Sequence, residues 1–316
     1  MLPPGIRVLE RGWLSANNVL LLGRDCTALV DSGYCAHAPQ TVALVESALG
    51  GRVLDQLLNT HLHSDHCGGN AALQARWPQL ATRIPPGQWA QVQDWDPVAL
   101  SYVPTGQECP RFRADGVLPP GTEVQLGDRA WQVHAAPGHD THAVVLFEPH
   151  ARVLISGDAL WENGFGVVFP ELDGEQAFAE VGATLDLIER LNPLTVIPGH
   201  GSVFGDVPAA LARARQVDGQ VQADAALLDQ DHPVGDRHRL GHVVGHQQHG
   251  EAMLLPQALD QLLHLDAGQG VQCAQRLVEQ QQARLMDQRA GQGHTLLLPA
   301  RERCWPFIGA FGQADF

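Results

Sequence analysis

The chain has 316 residues, of which 44% are hydrophobic, and a formal net charge of −15 at pH 7. That hydrophobic fraction is ordinary for a globular protein. The 35 acidic residues outnumber 20 basic residues, all of them arginine, which argues against nucleic acid as a partner because phosphate binding needs basic patches. We therefore expect a small-molecule substrate, and the sequence leaves the oligomeric state open.

The chain shows no sign of secretion or membrane insertion. Met1 to Trp13 lack a basic start followed by an apolar run, so we expect no secretory signal, and no stretch reaches membrane-spanning length. The cysteines are scattered without a disulfide framework, as is typical of a reducing compartment: Cys26, Cys35, Cys67, Cys109, Cys273 and Cys304. We predict a cytoplasmic protein without a membrane partner.

In chain order, the sequence predicts short strands that alternate with helices. A strand is expected at Thr27 to Val30, a helix at about His37 to Ala48, and a strand at Val53 to Asn59. Further strands are expected between Glu123 and Gly157, followed by a helix from Gly174 to Leu191. This alternation indicates the α/β class.

The segment that follows the strand at Val53 to Asn59 has the composition of a metal site. Residues 60–70 read Thr-His-Leu-His-Ser-Asp-His-Cys-Gly-Gly-Asn. Residues two apart share a face in an extended segment, so His61 and His63 can bind one ion where the strand ends. Asp65 and His66 follow at the turn into a helix and diverge enough to reach a second ion. Alone, this motif could also be a surface cluster.

Three later loops repeat one design. In each, an apolar strand ends, a glycine permits a tight turn, and a metal-binding side chain follows. These side chains are His139 after Ala130 to Ala136, Asp158 after Arg152 to Ile155, and His200 after Leu194 to Ile197. Together with the first motif, they favour a metal centre over a surface cluster.

These motifs, in this order, resemble the metallo-β-lactamase superfamily, as does the upstream Val30-Asp31-Ser32-Gly33. The resemblance spans roughly residues 5 to 215. It implies a four-layer αβ/βα sandwich of two mixed β-sheets face to face, with helices outside and a binuclear site along one edge. It also implies a ligand set: His61, His63 and His139 for the first metal, Asp65, His66 and His200 for the second, and Asp158 bridging both.

Imidazoles and carboxylates at these spacings suit zinc, so we expect two Zn²⁺ per chain, with iron or manganese as alternatives. Two close cations lower the pKa of a shared water. We therefore expect a hydrolase that uses a metal-bridging hydroxide to cleave an ester, thioester or lactone. Asp65 is the candidate catalytic residue, placed to orient the hydroxide and to move its proton to the leaving group.

Three other functions stay open. A mononuclear iron sulfur-dioxygenase resembles this family and uses a subset of the same ligands. Antibiotic hydrolysis is disfavoured because β-lactamases of the superfamily typically carry Cys or Ser where this chain has Asp158. A non-catalytic metal-binding protein is disfavoured by the intact ligand set. Glyoxalase II and lactonases share the full set, but the basic glutathione contacts of glyoxalase II do not map onto this chain.

Three residues near the ligands allow two interpretations each. Asp31 could contact a ligand histidine from outside the ligand set, or cap an Asx-type turn at Asp-Ser-Gly. His142 could be a ligand, but is better explained by packing within a strand from His142 to Phe147. Cys67 lacks a cysteine partner nearby in sequence, which favours a small buried side chain over a redox centre.

The sequence also offers candidates for the substrate pocket. Trp161 and Phe165 follow Asp158 closely and could form one wall, although the segment up to Phe169 could equally close the core. Tyr102 and Arg111 lie in an insertion from Trp95 to Phe112, where an arginine could pair with a substrate carboxylate. Surface arginines on a loop are the alternative interpretation.

After about Gln216 the composition changes, and we place the boundary of the catalytic domain, residues 1–216, there. The tail, residues 217–316, is rich in Gln, His, Asp and Gly and predicts poor packing or disorder. His238, His242, His246 and His249 have the spacing of a helical stripe, but the neighbouring glycines disfavour a metal-binding helix. The composition is also that expected of a frameshift product.

Overall fold

The computed structural model describes residues 2–12, 14–172, 175 and 177–231. Within these residues the first sheet has six strands in the spatial order β1-β2-β3-β4-β5-β6. Its strands are β1 (Ile6–Leu9), β2 (Asn18–Leu22), β3 (Thr27–Val30), β4 (Gln56–Leu58), β5 (Ala81–Ile84) and β6 (Gly116–Val117). The sheet is mixed, because β1 to β3 pair antiparallel and β3 to β6 pair parallel.

The second sheet has five strands in the order β11-β10-β9-β8-β7. Its strands are β7 (Glu123–Leu126), β8 (Arg129–Ala135), β9 (Val144–Glu148), β10 (Val153–Gly157) and β11 (Thr195–Pro198). β7 to β10 pair antiparallel, whereas β10 and β11 pair parallel. As a result β8, β10 and β11 run in the same direction, and their carboxyl ends lie at one edge of the sheet.

The helices occupy the outer layers and the connections between strands. Their bounds are α1 (Ala38–Leu49), α2 (Ser64–Cys67), α3 (Asn70–Arg76), α4 (Trp89–Asp94), α5 (Phe169–Leu172), α6 (Phe178–Leu191) and α7 (Val207–Asp231). Two 3-10 turns, Cys35–His37 and Pro86–Gln88, precede α1 and α4. Within the described residues, no helix combines the length and the apolar character that crossing a bilayer requires.

The main core lies between the two sheets. Val19 and Leu58 of the first sheet belong to the same buried cluster as Trp131 and Ile155 of the second, and Trp131 is fully buried. Burial of these facing apolar surfaces stabilises the sandwich.

Each sheet is covered on its outer face by helices. α1 buries Ala38, Thr41, Val45 and Leu49, a helical spacing of three to four residues, and packs on the first sheet. On the other side, Val181 of α6 and Leu211 of α7 pack against Leu154 of the second sheet. This arrangement confirms the predicted fold, an αβ/βα sandwich of two mixed sheets flanked by helices.

Several predicted boundaries shift. The strand expected at Val53 to Asn59 is only Gln56–Leu58, and the strand expected from His142 begins at Val144. The helix expected from Gly174 begins at Phe178, where Glu171 Oε1 accepts the backbone N–H groups of Ala177 and Phe178 at 2.6 and 3.2 Å. That carboxylate satisfies donors that a helix start leaves free.

The predicted domain boundary at Gln216 falls inside α7, which continues to Asp231. Val217 packs against the core of the second sheet, and Asp218 is buried. The helix contains Gly219, and a glycine destabilises a helix interior by about 1 kcal/mol relative to alanine. The many alanines of α7 favour the helical conformation and offset this destabilisation. The rest of the predicted tail, with its four spaced histidines, lies outside the described residues, and its disorder stays a prediction.

Candidate metal centre

The predicted ligands converge because their strands end at a common edge of the sandwich. His61 follows β4 of the first sheet, while His139, Asp158 and His200 follow β8, β10 and β11 of the second. The backbone joins the two sheets here, since the N–H of Val144 donates to the carbonyl of Thr60 at 2.8 Å. The structure therefore brings together all seven side chains expected from the sequence.

One group consists of His61, His63 and His139. Nε2 of His139 lies 2.9 Å from Nδ1 of His63 and 3.2 Å from Nε2 of His61. Two nitrogen ligands on a tetrahedral zinc ion are separated by about 3.4 Å. Nitrogens that face one another this closely need a proton or a cation between them, and the three together could hold one metal ion.

The other group consists of Asp65, His66, Asp158 and His200. Nε2 of His200 lies 3.1 Å from Oδ2 of Asp65, and Nε2 of His66 lies 3.3 Å from Oδ1 of Asp158. Two imidazoles with two carboxylates form a donor set that zinc accepts. Asp65 is the more exposed carboxylate of the two, with 27% of its side chain accessible against 5% for Asp158.

Asp158 connects the groups. Its Oδ2 atom lies 3.5 Å from Nε2 of His139 in the first group and 3.8 Å from Nε2 of His200 in the second. A single carboxylate oxygen thus faces both positions. This is the arrangement of a residue that can bridge two cations.

An orphaned buried atom also points to a bound cation. Nε2 of His66 is buried and makes no hydrogen bond within the described chain, although the oxygen of Asp158 is near it. A buried nitrogen without a partner costs free energy of the order of 1–3 kcal/mol. A metal ion would satisfy it, so both groups fit zinc by geometry and by donor chemistry.

Buried groups orient two of the histidines from behind. Nδ1 of His66 donates to Oδ2 of Asp31 at 2.8 Å, and Nδ1 of His139 donates to the carbonyl of Val167 at 2.6 Å. Each bond leaves Nε2 free to face the centre. Such outer contacts select the tautomer of a ligand and are part of a metal site.

The contacts of the Asp31 carboxylate are those of the first interpretation, a residue outside the ligand set that contacts a ligand histidine. Besides the contact with His66, its carboxylate accepts the backbone N–H and the hydroxyl of Thr60 at 2.9 and 2.8 Å. Its backbone has φ 59°, a left-handed conformation that is uncommon outside glycine. The residue therefore ties the end of β3 to the ligand segment after β4.

The loop that carries His200 is positioned by Asn17 and by a close approach at Gly199. The side chain of Asn17 donates to the carbonyls of Pro198 and Gly201 at 3.0 and 2.7 Å. A Cβ atom at Gly199 would lie 2.2 Å from Oδ1 of Asp158. Only glycine lets the backbone pass this close to the bridging carboxylate.

The two groups differ in how they hold protons. Burial lowers the pKa of His61 well below its ordinary value and that of His139 to about 4. Burial acts in the same direction on His66 and His200, but Asp158 and the other nearby carboxylates outweigh it and raise the pKa of both. Burial thus favours the neutral imidazoles that bind a metal at His61 and His139, whereas the carboxylates around His66 and His200 favour protons that compete with a metal.

Of the four predicted pocket residues, Trp161 contacts the metal groups and the other three do not. Trp161 lies at the centre, since its indole N–H donates to Oδ1 of Asp158 at 3.2 Å and its ring lies 5.4 Å from that of His200. Phe165 also lies in this segment but is buried in the core cluster beneath the second sheet, which supports the core interpretation for that residue.

Tyr102 and Arg111 do not join the site. Tyr102 is 2% exposed, and its hydroxyl donates to the carbonyl of Leu62 at 2.9 Å. The exposed Arg111 donates to the carbonyl of Gln93 at 3.1 Å. Because one side chain is buried and the other is paired with a carbonyl of α4, neither is placed to meet a substrate at the metal groups.

The structure places two further residues beside the ligands: Phe169, at the end of the segment that could form a pocket wall or close the core, and Asp140, which the sequence did not single out. The ring of Phe169 lies 4.6 Å from that of His63 and 5.5 Å from that of His139. Oδ2 of Asp140 lies 3.7 Å from Nε2 of His63, on the side away from the centre. The position of Asp140, directly after a ligand, was the one available signal. His142 is not in either group and lies against Gly87.

The chain is similar in sequence to proteins named hydroxyacylglutathione hydrolase. Hydroxyacylglutathione hydrolase of Acidiphilium cryptum (strain JF-5) is 33% identical over 190 residues, which cover 60% of this chain and 63% of that protein. The same-named protein of Dechloromonas aromatica (strain RCB) is 32% identical over 182 residues, which cover 57% and 56%. The chain thus spans less than two thirds of the length of these relatives.

The chain also matches a solved structure and a family model. The structure matches a metallo-beta-lactamase family protein from Thermus thermophilus with a TM-score of 0.62 at 21% identity, covering 77% of this chain and 88% of that one. The family model described as "Metallo-beta-lactamase superfamily" matches residues 11–200, more than half of the chain. The chain therefore belongs to the metallo-beta-lactamase superfamily.

Proposed function

We propose that this protein is a dinuclear zinc hydrolase that cleaves the thioester bond of a small molecule, with esters and lactones as related substrates. The observation that carries the proposal is the position of Asp158, whose Oδ2 faces both groups of histidines. The names of the two relatives, hydroxyacylglutathione hydrolase, support a thioester as the leading substrate class.

Zinc bound in these groups would lower the pKa of a bound water to about 7 and would polarise a carbonyl group. The side chains of this chain supply the rest. Asp65 is the more exposed of the two carboxylates, so it can accept a proton and return it to the leaving thiolate or alkoxide. His61, His66 and His139 are buried and serve to bind and orient.

The surroundings of the groups favour an acyl compound over a polyanion. Phe169 lies beside His63 and His139, and Trp161 lies beside His200, so aromatic rings flank both ends of the site. Such rings contact the apolar part of an acyl group. The overall charge of −15 disfavours a highly phosphorylated substrate.

The test combines metal analysis with a substrate panel. The full chain is loaded with zinc, its metal content is measured, and hydrolysis is followed with S-lactoylglutathione, a glutathione-free acyl thioester, an aryl ester, a lactone and a β-lactam. We expect two zinc ions per chain and the fastest turnover with a thioester. Asp65→Asn should lower kcat by about 100-fold or more, as removal of a positioned acid–base group typically does.

His142→Ala is the matched control, because His142 lies three residues after a ligand but outside both groups. It should retain two zinc ions and activity. One iron per chain with oxygen consumption on a persulfide would instead establish the sulfur-dioxygenase. Two bound metals without turnover of any substrate would support the non-catalytic protein, and preferential β-lactam turnover would establish the β-lactamase.

A further inference from the structure

Two free thiols touch one another beside the metal groups. Sγ of Cys67 lies 3.7 Å from Sγ of Cys109, although the residues are 42 positions apart in the sequence. Cys67 is fully buried, as its sequence context suggests, whereas Cys109 is partly exposed. One sulfur is therefore protected and the other can be reached from solvent.

Cys67 is built into the ligand segment. It ends α2 directly after His66, and its sulfur lies 3.4 and 3.3 Å from the carbonyl oxygens of Leu62 and His63. The hydroxyl of Tyr102, 3.2 Å from the sulfur, completes its surroundings. A displacement of this sulfur would therefore act on the backbone that carries His63 and His66.

Cys109 is presented by the insertion from Trp95 to Phe112, which is anchored on both sides of the cysteine. The N–H of Gln107 donates to the carbonyl of Tyr102 at 2.9 Å, and the N–H of Glu108 donates to the hydroxyl of Tyr34 at 3.3 Å. Phe112 then returns to the buried cluster that contains Cys67. These anchors hold the exposed thiol against its buried partner.

We propose that Cys67 and Cys109 form a reversible disulfide when a peroxide oxidises the protein, and that its closure weakens metal binding at His66. A disulfide requires an S–S distance of about 2.05 Å, so the sulfurs must approach by more than 1 Å from their present contact. During this approach the sulfur of Cys109 would move together with the insertion, and the sulfur of Cys67 would move together with α2. This inference does not depend on which substrate the enzyme hydrolyses.

The chemistry balances in two steps. The sulfur of Cys109 attacks one oxygen of hydrogen peroxide, the O–O bond breaks, and Cys109 becomes a sulfenic acid while the other oxygen leaves as water. The sulfur of Cys67 then attacks the sulfenic sulfur, the S–O bond breaks, and the thiol proton of Cys67 leaves with that oxygen as a second water. The two thiols lose two electrons, and peroxide gains them.

The effect on the metal follows from how tightly His66 is held. The carbonyl of His66 accepts hydrogen bonds from the N–H of Ser32 at 2.7 Å and from the amide of Asn59 at 3.2 Å. Its ring is fixed by Asp31. Because the backbone and ring of His66 are both fixed, a displacement of Cys67 must change the positions of the ligand atoms. The oxidised protein should therefore release zinc faster.

The decisive measurement is peptide mapping of the zinc-loaded full chain after peroxide treatment, alkylation of free thiols and tryptic digestion. The cleavage sites place Cys67 alone in residues 53–76 and Cys109 alone in residues 84–111, while Cys26 and Cys35 share residues 25–52. We expect a cross-linked pair of residues 53–76 with 84–111 that dithiothreitol separates. We also expect zinc transfer to a chromophoric chelator at least severalfold faster in the oxidised protein, and reversal on reduction.

Cys109→Ser tests the effect at the partly exposed position with a side chain of similar size, and Cys67→Ala tests the buried partner. Both should abolish the cross-link and make zinc release insensitive to peroxide. Cys26→Ser is the matched control, because Cys26 precedes β3 at the end of the strand away from the metal groups. A Cys109 that is over-oxidised while Cys67 stays alkylatable, or a cross-link without faster zinc release, would overturn the proposal.

Discussion

Asp31 and His66 form a buried hydrogen bond of 2.8 Å, in which the two side chains are 3% and 0% exposed. Replacement Asp31→Asn removes the negative charge that favours the Nδ1–H tautomer of His66. We expect zinc affinity at the second group to fall about 10- to 100-fold, as for other outer contacts of metal ligands. Competition with a chromophoric chelator measures this loss.

Asp55→Asn provides a matched control for that variant. Asp55 accepts the backbone N–H and the hydroxyl of Thr27 at 2.8 and 2.9 Å, as Asp31 does for Thr60, but it lies at the opposite end of β3. It should lower stability without changing zinc affinity. Equal losses of affinity in both variants would mean that Asp31 acts only through the backbone.

Asp158→Ala should bind at most one zinc ion and lose most activity. Two cations without their shared carboxylate repel one another, and the group at His66 retains a single carboxylate. Metal content per chain after dialysis and kcat on the preferred substrate give the readout. Asp186→Ala, which removes an exposed carboxylate paired with Arg215, should keep both metals. Two retained metals in Asp158→Ala would refute the bridging assignment.

Trp161→Phe separates two roles of one side chain. The phenyl ring preserves an aromatic neighbour for His200, but the hydrogen bond to Oδ1 of Asp158 is lost. A single hydrogen bond of about 1 kcal/mol corresponds to about a fivefold decrease in zinc affinity. We expect that decrease with little change in KM. Trp95→Phe, which alters an indole that lies beside Tyr102 rather than beside a metal ligand, should leave both quantities unchanged. A higher KM with unaltered zinc affinity would instead make Trp161 a pocket wall only.

Zinc binding to the two groups should respond differently to pH. The raised pKa values of His66 and His200 mean that the second metal displaces protons near neutral pH, so its affinity should rise as pH increases, by about tenfold per unit for each proton released. His61 and His139 have lowered pKa values and are already neutral, so the first metal should release few protons. The dependence should fade once pH exceeds the raised pKa values.

Calorimetric titration of zinc in two buffers with different ionisation enthalpies counts the protons released at each step. Asp31→Asn should reduce proton release in the second step, because Asp31 helps to raise the pKa of His66. Identical proton counts for the two metals would contradict the assigned distribution of charge.

The ligands could be predicted because each obeys a local rule. His139, Asp158 and His200 each follow a strand and a glycine, and strands that run in one direction end at one edge of a sheet. No long-range information was needed to place them together. The sandwich itself was expected from the family resemblance.

Trp161 was a predicted pocket residue, but the contacts that complete the site could not be predicted in this way. Trp161 donates to Asp158 only because the chain folds back at a β-bridge between Trp161 and Gly164, and Phe169 reaches His63 across more than a hundred positions. The contact between Cys67 and Cys109 is likewise a property of the folded insertion. The composition predicted poor order after about Gln216, but it contains no information on the packing of Val217 against the core or on the continuation of α7 to Asp231.

Each metal group draws its side chains from both sheets: His61 and His63 meet His139, and Asp65 and His66 meet Asp158 and His200. The segment with residues 61–66 cannot form either group without the segment with residues 139–200. A nascent or partly unfolded chain would therefore compete poorly for zinc, and the ions would be captured only when the sandwich has closed. Metal binding would then occur only in the folded protein. The concentration of free zinc would therefore determine how strongly the folded protein resists unfolding and proteolysis.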